Sequence, residues 1–184
     1  MFRLLIILIA LSFYNPALSS SKNKIINKMK LTNNISFDFI QTIDNIKEKG
    51  SCIIKYPKKI FCEYDNINKK IIVSNGRTLV IKNRNSGNYY IYPIEKTPLN
   101  LLLDKNYLIS KIEILESRIV NDKYINFQIL EKDNKINIFF NNKTFNLIGW
   151  QTEDIYQNLV ITFISSIRFN KKINDSIFIL PEKN

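Results

Sequence analysis

From about residue 34 the chain alternates. Ile35, Phe37 and Phe39 are apolar and Ser36 and Asp38 between them are polar, the two-residue period of a strand with one buried face. Similar segments recur at 47–56, 59–65, 69–74, 78–82 and 88–92, and then at 111–118, 124–130, 135–140, 144–152 and 156–165. About eleven strands joined by short polar turns are predicted. Asn75-Gly76 suits a type I′ hairpin, Asp133-Asn134 and Asn141-Asn142 tolerate left-handed backbone, and Pro57 cannot donate to a central ladder. A last apolar stretch, Ile177-Phe178-Ile179-Leu180 before Pro181, reads as a terminal edge strand.

Two segments break this period. Residues 20–30 are polar and basic with Ile25, Ile26 and Met29 on one stripe, extended by Leu31, as in an amphipathic helix; the competing reading is a frayed tail. The run Thr97-Pro98-Leu99-Asn100-Leu101-Leu102-Leu103 has a proline near its start and no β-branched residue after it, which suits one to two helical turns. A helix that apolar is buried on more than one side. Eleven sequential antiparallel strands form a curved sheet, closed or half open, and a small closed barrel fills its interior with its own side chains. Here two helices compete for that interior. The expected fold is therefore mainly β (α+β), an open antiparallel half-barrel of about eleven strands with a lid of short helices.

Length changes the picture little: 184 residues suit one domain. Residues 1–19 are set aside as a secretory signal peptide, with a basic start at Arg3, an apolar run from Leu4 to Tyr14 too short to span a bilayer, and Ala17-Leu18-Ser19 at the cleavage positions. An uncleaved anchor is the alternative. Residues 20–184 then form a single exported domain, expected in the periplasm. The net charge of +11 falls to +10 without Arg3, with lysines scattered along the strands rather than gathered in a stripe. A scattered pattern favours a solvated surface over nucleic acid, and no nucleic-acid partner is expected.

Candidate chemistry is sparse. The absence of histidine removes the usual general base and the commonest metal ligand. The carboxylate pairs Glu113/Glu116 and Glu153/Asp154 lie amid lysines and read as surface, and Ser19-x-x-Lys22 straddles the expected cleavage site without a supporting motif. No enzyme, metal or cofactor is expected. Cys52 and Cys62 flank Pro57. A three-residue loop of Tyr56, Pro57 and Lys58 places them opposite each other for a disulfide; a two-residue turn points them to opposite faces, and two buried thiols remain the other reading. Phe37, Phe39, Tyr64, Tyr90, Phe127, Phe140, Phe145 and Phe163, with Leu79 and Ile81, occupy alternating strand positions that can share the concave side. They are an ordinary β core or, given apolar helix to cover them, the lining of a ligand cavity. Leu99, Leu101, Leu102 and Leu103 form the lid.

In order, Phe37-x-Phe39-x-Gln41, Gly50, Tyr56 to Tyr64, Ile72 to Leu79, Thr97-Pro98-Leu99 with Leu102-Leu103, Leu147-x-x-Trp150 and Asp154 resemble the landmarks of the LolA family, over nearly the whole of residues 35–181. That resemblance implies a monomeric periplasmic carrier of outer-membrane lipoproteins. Its cavity takes acyl chains from an inner-membrane lipoprotein-releasing ABC transporter and delivers them to an outer-membrane receptor or to the outer membrane directly. The same fold also serves sensor domains that bind protein signals; these bring a second domain, which is not expected here. Two positions depart from the family pattern. Tyr56 stands where an arginine latches the lid in many members, and Cys62 stands where an aromatic residue precedes Glu63-Tyr64. A tyrosine hydroxyl there offers one hydrogen bond in place of a charged fork.

Overall fold

The computed structural model describes residues 16–131, 134–154 and 157–183. Helix α1 (Pro16–Leu31) leads into a meander of β1 (Asn34–Ile43), β2 (Ile46–Lys55), β3 (Lys59–Tyr64), β4 (Lys70–Asn75), β5 (Thr78–Asn83) and β6 (Tyr89–Pro93). A 3-10 turn (Ile94–Lys96), α2 (Leu99–Leu102) and α3 (Lys105–Ile114) then carry the chain to a second meander, β7 (Arg118–Val120), β8 (Tyr124–Glu131), β9 (Asn134–Asn141), β10 (Leu147–Glu153) and β11 (Leu159–Phe169). β1 pairs with β2 on one side and β11 on the other, giving a single sheet in the order β6-β5-β4-β3-β2-β1-β11-β10-β9-β8-β7. Its pairings are antiparallel, and the fold is a mainly β open half-barrel. β6 and β7 are its two edges, so the helical lid is built into the one connection that must cross between them. Residues 1–15, most of the expected signal peptide, lie outside the described residues, and the expected cut after Ser19 falls within α1.

The strand expected at 111–118 is corrected. Residues 105–114 are α3, and only Arg118–Val120 pairs as a strand. Lys111, Ile112, Glu113 and Ile114 alternate like a strand, but Asp104 caps the helix by accepting from the Tyr107 N–H at 3.0 Å, and Leu108, Ile109 and Ile112 make a buried helical stripe. That stripe packs with Ile25 and Ile26 of α1 into one core with Phe127, Phe140 and the isoleucines of β8 and β9. On this half of the sheet the concave face is filled by helix.

The expected terminal edge strand is also corrected. Asp175–Phe178 is a 3-10 turn, because the Asn174 side chain accepts from the Ser176 N–H at 3.1 Å and closes the backbone on itself. Phe178 is buried against β3 and β4, and the Asp175 carboxylate bridges the Lys55 and Lys59 ammonium groups. Since Ile72 and Ile81 point into the concave side, Val73 and Val80 beside them face outward, yet both are buried. The C-terminal strap makes a small second core on the convex face.

Two turns differ from expectation as well. At Asn75-Gly76 only Gly76 takes positive φ (+101°), whereas a type I′ turn needs it at both central residues; the Asn75 side chain instead accepts from the N–H groups of Arg77 and Thr78. Near Asn141-Asn142 the left-handed residue is Phe145, with the Asn141 side chain accepting from Lys143 and Thr144. Asp133 lies outside the described residues.

Candidate functional site

The other half of the concave face is not filled. β1, β3 and β10 present Phe37, Phe39, Ile60, Tyr64 and Trp150 toward a cavity of about 290 Å³ roofed by Pro98, Leu99 and Leu102. The rings interlock edge to face: Phe37 and Trp150 have centroids 6.1 Å apart, and Phe39 and Tyr64 4.9 Å. Phe39 lies over Gly50, where a side chain would meet the ring and the Glu63 carbonyl. Gln41, Lys70, Thr152, Glu153, Asp154 and Thr162 also line it and make part of its wall polar.

Of the expected lining residues, Phe37, Phe39, Tyr64 and Ile81 come together around this cavity. Leu79 is buried in the core without lining it, and Phe127 and Phe140 stack edge to face at 6.0 Å under α1 and α3. Phe145 packs beside them, with the Lys24 ammonium 5.0 Å over its ring. Tyr90, the register partner of Ile81, sits on the same side but on edge strand β6, where it is half exposed. Phe163 is placed on the opposite, convex face, half exposed beside Ile40. The reason is phase: Val160, Thr162 and Ile164 carry the concave face of β11, and a one-residue offset sends Phe163 outward. Phase by hydrophobicity misleads there because the interior is polar at Thr162.

The lid is a single helical turn, with Pro98 at its N-cap (φ −58°). Leu99 and Leu102 face the cavity, Leu103 is fully buried beneath, and Leu101 is half-buried against the core. The three-residue loop Tyr56-Pro57-Lys58, with a cis Tyr56–Pro57 bond, sets Cys52 opposite Cys62, and the two are joined in a disulfide with Cα atoms 4.1 Å apart that lines the cavity floor.

Tyr56 lines a small space with Leu99, Leu102 and Leu103 of the lid, Leu108 of α3 and Ile138 of β9, and among the described residues its hydroxyl makes no hydrogen bond. Its N–H donates to the Asn33 carbonyl at 3.0 Å, and burial pushes its hydroxyl up to about 12. The tie between turn and lid is Lys58. Its N–H donates to the Leu103 carbonyl at 2.9 Å, and its ammonium lies 3.7 Å from the Asp104 carboxylate. Sequence reading missed this residue because a backbone donor leaves no side-chain signature. The one available signal was its place after Pro57 in a tight turn.

Among the described residues, no cluster of three or more His, Cys, Asp or Glu side chains could hold a metal, and no helix is long and apolar enough to cross a membrane. A half-barrel with a lidded, mostly apolar cavity defines a class of binding proteins. The sequence pattern of the family described as outer membrane lipoprotein carrier protein LolA matches residues 30–180, and the chain belongs to that family. No curated protein sequence matches it. The fold is similar to that of an uncharacterized conserved protein from Thermus thermophilus, at TM-score 0.52 and 6% identity over 89% of this chain and 94% of that one. Also similar are the LolA superfamily protein NE2245 from Nitrosomonas europaea (TM-score 0.48, 10% identity, 89% of this chain and 97% of that one) and MucB (TM-score 0.49, 7% identity, 92% and 65%).

Proposed function

We propose that this protein is a periplasmic carrier that takes the acyl chains of lipoproteins into the lidded cavity and moves them from the inner to the outer membrane. Residues 1–19 act as its signal peptide, an inner-membrane lipoprotein-releasing ABC transporter loads it, and an outer-membrane receptor or the outer membrane itself unloads it. The observation that carries this reading is the unfilled cavity of about 290 Å³, lined by Phe37, Phe39, Ile60 and Trp150 under Leu99 and Leu102. A buried CH₂ contributes about 0.8 kcal/mol, so an acyl anchor is held in water only where such a surface encloses it. Among the described residues the lid, a single helical turn, is tied to the β2–β3 turn by the Lys58–Leu103 hydrogen bond and the Lys58–Asp104 ion pair, polar ties that break at modest cost.

Photocrosslinking from Leu102 in exporting cells, followed by mass spectrometry of the adduct, tests the proposal. Acylated lipoproteins in the adduct support it. A protein that takes up no fatty-acyl probe, read from Trp150, the chain's one tryptophan, overturns it.

A further inference from the structure

The cavity is not uniformly apolar, and its polar groups are ordered. The Tyr64 hydroxyl donates to Gln41 Oε1 at 3.1 Å, and Gln41 Nε2 donates to Thr162 Oγ1 at 3.0 Å. These three side chains, from β3, β1 and β11, cross the wall as one hydrogen-bonded row. Tyr64 and Thr162 are buried, and all three line the cavity. At one end the Lys70 ammonium sits 3.9 Å over the Tyr64 ring and pairs with Glu48.

The row has a direction. Each link spends a hydrogen toward Thr162, whose oxygen is occupied as an acceptor, so the Thr162 hydroxyl hydrogen and the second Gln41 Nε2 hydrogen remain to donate, with no acceptor for either among the described residues. Thr162 is buried and Gln41 half-buried; a buried donor left without an acceptor is costly, and a ligand that supplies one removes that cost. The row also divides the cavity by depth. Trp150, the register partner of Thr162, stands level with the row; Phe37 lies to one side of it, toward Leu99 and Leu102, and Thr152, the partner of Val160, lies to the other with Glu153 and Asp154. A carbonyl held at Thr162 and Gln41 therefore leaves its alkyl chain directed under the lid and its head toward Thr152, Glu153 and Asp154.

We propose that Gln41 and Thr162, oriented by Tyr64, form a subsite for the carbonyl of an ester- or amide-linked acyl group, which sets the direction and depth of the chain. The subsite rests on the acyl-carrier reading and adds that the cavity recognises the acyl linkage as well as the hydrocarbon.

A matched pair of lipids tests it: palmitoyl lysophosphatidylcholine and its hexadecyl ether analogue, which lacks only the ester carbonyl, each titrated below micelle formation with Trp150 fluorescence as readout. One carbonyl hydrogen bond corresponds to roughly a fivefold to tenfold preference for the ester in the wild-type protein. In Thr162→Val and in Gln41→Leu the ester-to-ether ratio falls to about one, and Tyr64→Phe, which frees the row's orientation, gives an intermediate ratio. Equal binding of the two lipids by the wild type, or an ester preference that survives in both Thr162→Val and Gln41→Leu, overturns the subsite and leaves the carrier reading standing. Binding of neither lipid overturns both.

Discussion

The backbone N–H of Lys58 donates to the carbonyl of Leu103 at 2.9 Å, joining the β2–β3 turn to the end of the lid. The turn is itself anchored, since the Lys58 carbonyl accepts from the Ser74 hydroxyl at 2.9 Å. The next residue along, Asp104, begins α3 by capping Tyr107 and pairs with the Lys58 ammonium at 3.7 Å. Lid, turn and α3 thus meet at two side chains and one peptide, and loosening any of them loosens the roof of the cavity.

Asp104→Ala removes both the helix cap and the ion pair. The expected loss is about 1 kcal/mol, most of it from the cap, while Asp104→Asn, which can still cap, loses a fraction of that. Urea unfolding of the two variants checks the order. Equal losses would show that the charge, and not the cap, holds this corner.

Gly50→Ala drives a Cβ into the Glu63 carbonyl oxygen and to 2.8 Å from the Phe39 ring. The first contact is backbone and cannot rotate away, so β2 and β3 must part. The variant is expected to lose about 3 kcal/mol or more in chemical unfolding and to weaken acyl binding, because Phe39 is displaced into the cavity. A variant as stable as the wild type would mean that this strand pair is softer than its contacts indicate.

The two-residue period made most of the sheet legible, since Phe37, Phe39 and Gln41 keep one phase along β1 and all three reach the cavity. What misled was composition overriding phase. Ile112 and Ile114 alternate with charges as a strand would, and the cap at Asp104, a local hydrogen bond, decided for helix. Phe163 looks like a core residue, yet Thr162 is the one that points inward, because the wall needs a polar group there to meet Gln41. The strap is a third case. Whether Phe178 pairs at an edge or plugs the convex face depends on Val73 and Val80, which lie about a hundred residues away in sequence.

The disulfide spans a sequence separation of ten. In the chain-entropy model a loop of that size contributes about 2–3 kcal/mol, so Cys52→Ala with Cys62→Ala should unfold at correspondingly lower urea. Alkylation of the unfolded, non-reduced protein is expected to add no label, and to add two after reduction. Two labels without reduction would show that the thiols are free.

Tyr56 links stability to high pH. Burial raises its hydroxyl from 10.0 to about 12, so the folded protein favours the neutral phenol. In the unfolded chain the same hydroxyl ionises near 10, so between about pH 10 and 12 the unfolded state binds fewer protons than the folded one and stability must fall as pH rises. Below pH 10 both states are protonated and the contribution is fully present. Tyr107, raised to about 12 by burial and by the hydrogen bond it donates to Glu131 at 3.0 Å, adds to the same window with the same sign. Urea midpoints measured across that range should therefore decline, and Tyr56→Phe should decline less steeply because its ring packs without a proton to lose. The contrast with Tyr107→Phe separates the two sites: Tyr56 belongs to the turn that holds the lid, so its ionisation should also raise the release rate of a bound acyl probe, whereas that of Tyr107, bonded to Glu131 at the end of β8, should leave release unchanged. An identical pH slope in the wild type and Tyr56→Phe would show that the Tyr56 hydroxyl reaches water in the folded protein.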